Sequence, residues 1–199
     1  MRMNKVFCVL GLFLMASCSS DRKMEKSVRE YIVTHWVSHD KDRPDIRELE
    51  VLRTITAQDM VDNWYVQYNQ DHMSADSAKA EMQRTALYFE DIAREDSSES
   101  AQAAAREWRE KADRIQELEE MDQDDPVLYV VRVLYQIPNP AIFNHMLSFT
   151  RFFVLDGDCR VIEAIDEEAY KVLESGDKFT VLNNYDGLIM AADRAEAAP

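Results

Sequence analysis

Apolar residues along this chain recur at two periods, and the change from one to the other marks out its elements. In MEKSVREYIVTHWV (24–37), Val28, Tyr31, Ile32, His35 and Trp36 share one face of a helix. The run HDKDRP ends it, with Pro44 as the breaker. IRELEVLRTIT (46–56) then sets Leu49, Val51, Arg53 and Ile55 against polar neighbours, the two-residue alternation of a strand. In the next segment, 57–71, Met60, Val61, Trp64, Tyr65 and Tyr68 fit helical spacing, while Trp64, Val66 and Tyr68 also fit a strand. Thr56 and Asp59 stand at the spacing of an acidic capping box, which favours the helix.

Residues 75–121 carry the clearest helical pattern. Met82, Ala86, Phe89 and Ala93 form one stripe; Ala101, Ala104, Ala105, Trp108, Ala112, Ile115 and Leu118 form a second. REDSSES separates them, with Asp96 and Glu99 at capping-box spacing for the second helix. Glu90–Arg94, Glu107–Lys111 and Glu110–Arg114 run acid to base four residues apart, each supporting its helix. The segment reads as an antiparallel helical hairpin with a narrow apolar seam.

The last third returns to period two. PVLYVVRVLYQI (126–137) places Val127, Tyr129, Val131, Val133, Tyr135 and Ile137 on one face; Leu128, Val130, Arg132 and Leu134 make the other nearly as apolar, so both faces should be covered. MLSFTRFFVLDGDCRVIEAI reads as two strands about the turn Asp156-Gly157. DEEAYKVLES is a short helix, Lys178 to Leu182 is a further strand candidate, and 191–199 reads as a flexible tail. No internal repeat is visible. The order of elements predicts one α+β domain over 24–190: an antiparallel sheet packed on an N-terminal helix, with an acidic helical hairpin (75–121) inserted between sheet strands.

The N-terminus has its own pattern. Arg2 and Lys5 precede an apolar run from Val6 to Met15, then small residues and Cys18, the layout of a secretory signal peptide over residues 1–17. The run is too short to cross a bilayer, which takes about 20 apolar residues. Leu14-Met15-Ala16-Ser17-Cys18 resembles the lipobox of bacterial lipoproteins, with Met15 where leucine is usual. The resemblance implies cleavage before Cys18 and a lipid on its sulfur, with 18–23 as a lipid-anchored tether. By resemblance to known lipoproteins, Ser19 after the cysteine suits outer-membrane sorting, and the periplasmic side is the favoured location. The segment Tyr129–Ile162, with Asn139 at its bend, is similar to small Bacteroidota lipoproteins of uncharacterised function, although the glycine pair common in that bend is missing. By that resemblance the expected fold is cystatin-like or NTF2-like.

Charge narrows the functions. A chain starting at Cys18 holds 21 basic against 38 acidic residues, a balance of −17, which repels nucleic acid and anionic lipid. Cys8 would leave with the signal and Cys18 would carry lipid, so Cys159 is the one thiol left and reads as a packed structural cysteine. His35 and His39 lie one helical turn apart, a spacing that can clamp a metal, with Asp40, Asp42, His72 and His145 as further donors. No glutamate of a zincin motif accompanies them; a packed histidine on the apolar stripe is the simpler reading for His35, and no cofactor is expected. EEMDQDD (119–125) lacks the glycine and terminal glutamate of a calcium loop and reads as a solvated helix end. Trp64, Tyr65 and Tyr68 could stack on sugars, but their spacing favours core. With four glycines in the whole chain, no phosphate-cradling loop or nucleophile elbow is present, so an enzyme is not expected. The leading expectation is a lipid-anchored envelope protein that binds or scaffolds, its acidic hairpin meeting a basic protein. The alternative is a small-ligand binder with a pocket between helix and sheet lined by Trp36, Trp64 and Tyr129.

Overall fold

The computed structural model describes residues 4–37, 43–68, 75–96, 98–139, 141–142 and 145–197. In chain order the elements are α1 (Asn4–Trp36), β1 (Asp45–Thr56), α2 (Ala57–Tyr68), α3 (Ala75–Glu95), α4 (Glu99–Glu120), β2 (Pro126–Pro138), β3 (Met146–Asp156), β4 (Val161–Ile165), α5 (Glu167–Leu173) and α6 (Lys178–Ala197). The fold is α+β with the N-terminal helix before the sheet and the hairpin α3–α4 between β1 and β2, as the patterning predicted. The chain gathers into two compact units, residues 1–54, 127–175 and 187–199 in the first, 55–126 and 176–186 in the second.

The first unit is built on an antiparallel sheet in the order β1-β2-β3-β4. The register pairs Val131 with Phe153, Val133 with Arg151 and Tyr135 with Phe149. Because side chains alternate, one face gathers Val131, Val133, Tyr135, Phe153 and Leu155, and α1 lays Met24, Val28 and Ile32 across it, all buried. On the other face Phe152 stacks on Tyr170 of α5, ring centroids 4.3 Å apart and 6° from parallel. Leu128, Val130 and Val154 on that face are buried too, which accounts for the two-sided apolar pattern of β2. Towards the far end the same face turns polar: Arg132 pairs with Glu50 at 2.5 Å, and Gln136 donates to Ser148 at 2.9 Å. The edge strand β1 is less buried than its alternation predicted. Leu49 packs on the core, but Val51 stays 39% exposed.

Two boundaries of this unit differ from expectation. α1 is one helix from Asn4, so residues 19–23, expected as a tether, are helical. No glycine or proline lies between Leu12 and Trp36 to interrupt it. The turn between β3 and β4 sits at Asp156-Gly157 as expected, yet its left-handed residue is Cys159, at φ 67°. Cys159 N–H donates to Asp156 O and Asp156 N–H to Arg160 O, both at 2.9 Å, closing a three-residue loop whose last position normally takes glycine. Cys159 holds that position with its thiol buried beside α1, in accord with its reading as a packed cysteine.

The second unit is helical. α2 starts on the expected capping box, formed reciprocally: Asp59 N–H donates to Thr56 Oγ1 at 3.2 Å and Thr56 N–H to Asp59 Oδ2 at 3.3 Å. The free N–H groups of Ala57 and Gln58 are taken by the carbonyls of Asp125 and Gln123. α3 and α4 meet along the predicted seam, where Phe89 and Trp108 stack 5.9 Å apart and 6° from parallel. Trp64 of α2 packs with Met82 and Ile115 to fill the unit's core. The cap of α4 is not the Asp96–Glu99 box. Ser98 is the N-cap, accepting from Ala101 N–H, while Asp96 accepts from the N–H and hydroxyl of Ser98, since a hydroxyl three residues ahead outcompetes a carboxylate five ahead.

The C-terminal stretch corrects two further expectations. Lys178–Leu182 is the first turn of α6, not a strand, and the expected tail is helical through Ala197. Asp177 accepts from the N–H and hydroxyl of Thr180 and so starts the helix. Val181, Leu182, Tyr185 and Ile189 are buried at helical spacing, which tertiary burial favours over the local β-branched composition. Within the second unit, Lys178 reaches Asp59 at 2.9 Å, and the buried Asn63 donates to Asn183 at 2.8 Å.

Candidate functional site

Charge is divided very unevenly between the two units. The second carries 21 acidic and 8 basic side chains, a balance of −13, while the first carries 17 and 15. The acidic character of the protein is therefore a property of its helical unit.

The local geometry of that unit starts from α3. Met82 and Ala86 are buried and Phe89 and Ala93 half-buried along the seam, so the helical period turns Glu81, Arg84, Tyr88 and Asp91 outward. Leu87 and Tyr88 are large apolar side chains left 52% and 62% exposed. With Glu81, Arg84, Thr85 and Asp91 they line an open groove of about 480 Å³. Arg84 pairs with Glu81 at 3.2 Å and Arg94 with Asp91 at 2.7 Å, both in solvent. Glu90 holds Arg109 of α4 at 2.5 Å, an ion pair that ties the two helices.

A second polar node lies at the other end of the hairpin. Glu119 of α4 accepts hydrogen bonds from the Tyr65 hydroxyl of α2 and from the Lys79 ammonium of α3. Burial pushes its carboxyl up, but those two hydrogen bonds and the Lys79 charge together hold it below the usual glutamate range. Asp59 behaves alike, with burial outweighed by Lys178 and Thr56. Both nodes fasten helices together and leave little carboxylate free for chemistry. The acidic run 119–125 is likewise structural, because Asp122 accepts from the N–H of Asp124 and Asp125 while the next carbonyls cap α2.

The residues singled out in the sequence come apart. Cys18 lies within α1. His35 is exposed rather than packed in the core. Its ring stacks on Tyr31 at 4.0 Å, and its Nδ1 donates to Tyr31 O at 2.9 Å. It lies in the last turn of α1, past the buried Ile32. His39, Asp40, Asp42 and His72 lie outside the described residues, and His145 is exposed in the β2–β3 loop. Among the described residues no cluster of three histidine, cysteine, aspartate or glutamate side chains could hold a metal ion. Trp64 is core, at 4% exposure, and Tyr65 belongs to the Glu119 node. Trp36 is 39% exposed and stacks on Tyr135 at 6.2 Å in the first unit, where Tyr129 also packs. A groove of about 300 Å³ beside α1 is lined by Lys26, Arg29, Glu30, Val33, Thr34 and Arg43. Arg29 there is engaged by Pro44 O and Glu25.

Sequence reasoning missed the exposed pair Leu87–Tyr88. Its signal was present: both residues fall off the stripe 82/86/89/93, so the seam could not bury them. Among the described residues no helix is long and apolar enough to cross a membrane. No protein-family model matches the chain, and no curated protein or solved structure matches it either.

Proposed function

We propose that this chain is a non-catalytic lipoprotein of the cell envelope, anchored through Cys18 at the outer membrane and facing the periplasm, whose acidic helical unit binds a basic protein partner. The observation that carries the binding reading is the charge division, −13 in the helical unit. Such a field steers a basic partner and speeds its encounter at low salt. The Leu14–Cys18 sequence supports the anchor, and two or more acyl chains make membrane residence stable.

The experiment compares in-cell crosslinks of the full chain, a Cys18→Ala variant and a variant neutralised across the helical unit, at the exposed Asp91 and Glu95 of α3 together with Asp113, Glu117 and Glu120 of α4. Cys18→Ala should abolish incorporation of a labelled fatty acid and release the protein from membranes. The neutralised variant should lose salt-sensitive crosslinks while keeping its location. Lipid labelling that persists without Cys18 refutes the anchor, and crosslinks indifferent to both salt and neutralisation refute the acidic partner site. Deleting the hairpin is the wrong perturbation, since it would strip Met82 and Ile115 from around Trp64.

The ligand reading keeps one observation, the partly exposed Trp36 stacked on Tyr135. A compound screen that raises the melting temperature of the protein, with the rise lost in Trp36→Ala, would favour it.

A further inference from the structure

The geometry points to the outer face of α3 as the docking surface of the helical unit, and to a basic amphipathic helix as its occupant. This rests on the partner-binding reading above and names the surface and the chemistry. Four observations converge on it. Leu87 and Tyr88 expose 52% and 62% of their surface side by side, on a helix whose opposite stripe is fully used by the hairpin seam. Isolated exposed leucines are ordinary, but a neighbouring leucine and tyrosine over an open groove of about 480 Å³ form a surface that association can dry. The apolar pair is rimmed by Glu81, Arg84 and Asp91, the arrangement in which a central tyrosine contributes most to binding and polar neighbours exclude water. The whole unit around it is strongly acidic.

The occupant follows from spacing and charge. Glu81 and Asp91 stand ten residues apart on one helix, roughly 15 Å along its axis. A partner helix of about three turns spans that length, with an apolar residue set over Tyr88 and a lysine or arginine one to two turns away on either side. The carboxylates of Glu81 and Asp91 are bridged to Arg84 and Arg94 on their own helix, in solvent, where such pairs contribute little and exchange readily for a partner's cation. A second copy of this chain is disfavoured as occupant, because two acidic units repel.

The test uses the full chain and a synthetic helical peptide of leucine and lysine, with a leucine–glutamate peptide of the same apolar pattern as control. Binding is read by fluorescence anisotropy at low and moderate salt. The variants are Leu87→Ser with Tyr88→Ser on α3, and Asp113→Asn with Glu117→Gln on α4, each checked for an unchanged unfolding transition. The expected result is binding of the lysine peptide alone, weakened tenfold or more by the α3 variant, weakened less than threefold by the α4 variant, and reduced by salt. Equal weakening by both variants means diffuse attraction to the acidic unit, which overturns the α3 site and leaves the basic-partner reading standing. Equal binding of both peptides makes the surface a bare apolar patch and overturns the charge argument. No binding of the lysine peptide overturns the site and the basic-partner reading together.

Discussion

Arg53 of β1 and Glu174 at the end of α5, 121 residues apart in sequence, meet as a fork on a fork: Nε to Oε1 at 3.0 Å and Nη2 to Oε2 at 2.5 Å. The pair holds the sheet's edge strand to the helix that covers Phe152. A bidentate geometry is worth more than a single surface contact, but Arg53 is partly solvated and the gain is discounted accordingly. Urea unfolding of Arg53→Lys, Glu174→Gln and the double variant should give a coupling energy of about 1 kcal/mol. Additive single effects would show that the two side chains are independent.

Gly176 and Gly187 should respond in opposite directions to the same change. Gly176 has φ 120°, and a Cβ there would lie 2.9 Å from Thr180 Cβ; Gly187, inside α6, has nothing within 4 Å of that position. Gly176→Ala should lower stability by about 1–3 kcal/mol through backbone strain and collision. Gly187→Ala should raise it by about 0.5–1 kcal/mol by removing a glycine from a helix interior. Thermal melts of both variants check the signs. A loss at Gly187 comparable to that at Gly176 would contradict the open space at Gly187.

Acid should weaken the Glu119 node in a defined window. The folded carboxyl lies below its ordinary value of 4.5, so its stabilising contribution is complete above that value and is lost as pH falls through the folded one. The stability difference between the protein and Glu119→Gln should therefore hold from neutral pH down to about 5 and shrink at lower pH. Denaturant melts across pH 7 to 3 measure it. A difference that grows on acidification would place the Glu119 carboxyl above its ordinary value.

Cys159 combines a buried thiol with a left-handed backbone. Burial pushes the thiol up, Lys23 offsets this in part, and Asp156 and Asp158 add to the rise. In a chain with Cys8 and Cys18 changed to serine, iodoacetamide at neutral pH should label Cys159 only after urea unfolding. Cys159→Gly should shift stability by no more than about 1 kcal/mol, since relief of φ 67° offsets the lost packing. Cys159→Val, branched at Cβ, should cost about 2 kcal/mol or more. Equal stability of the glycine and valine variants would remove the backbone from the explanation.

The contrast between these positions shows where sequence reading reached and where it stopped. The hairpin seam was legible because Met82 to Ala93 and Ala101 to Leu118 each repeat a local period, and the Thr56–Asp59 box because both partners lie within four residues. α6 was misread since Thr180 and Val181 look like strand, while what holds them helical is burial in the folded unit and the contact of Asn63 with Asn183, 120 residues away. The β3–β4 turn was found from Asp156-Gly157, yet its left-handed position fell on Cys159, because hairpin loop length decides that and composition does not. Of the candidate surface, the acidity was visible in the sequence. The exposure of Leu87 and Tyr88 followed from the stripe they miss, but only the folded seam made it plain.

The unbroken run of α1 has a mechanical consequence. Met24, the first fully buried side chain of α1 among the described residues, sits six residues past Cys18, about 9 Å along the helix axis. A lipid on Cys18 would thus root the first unit on a short stiff post where a leash was expected. Lateral drag on the lipid would pass straight into Met24, Val28 and Ile32. The first unit would be held close to the bilayer surface, with no leash on which to range.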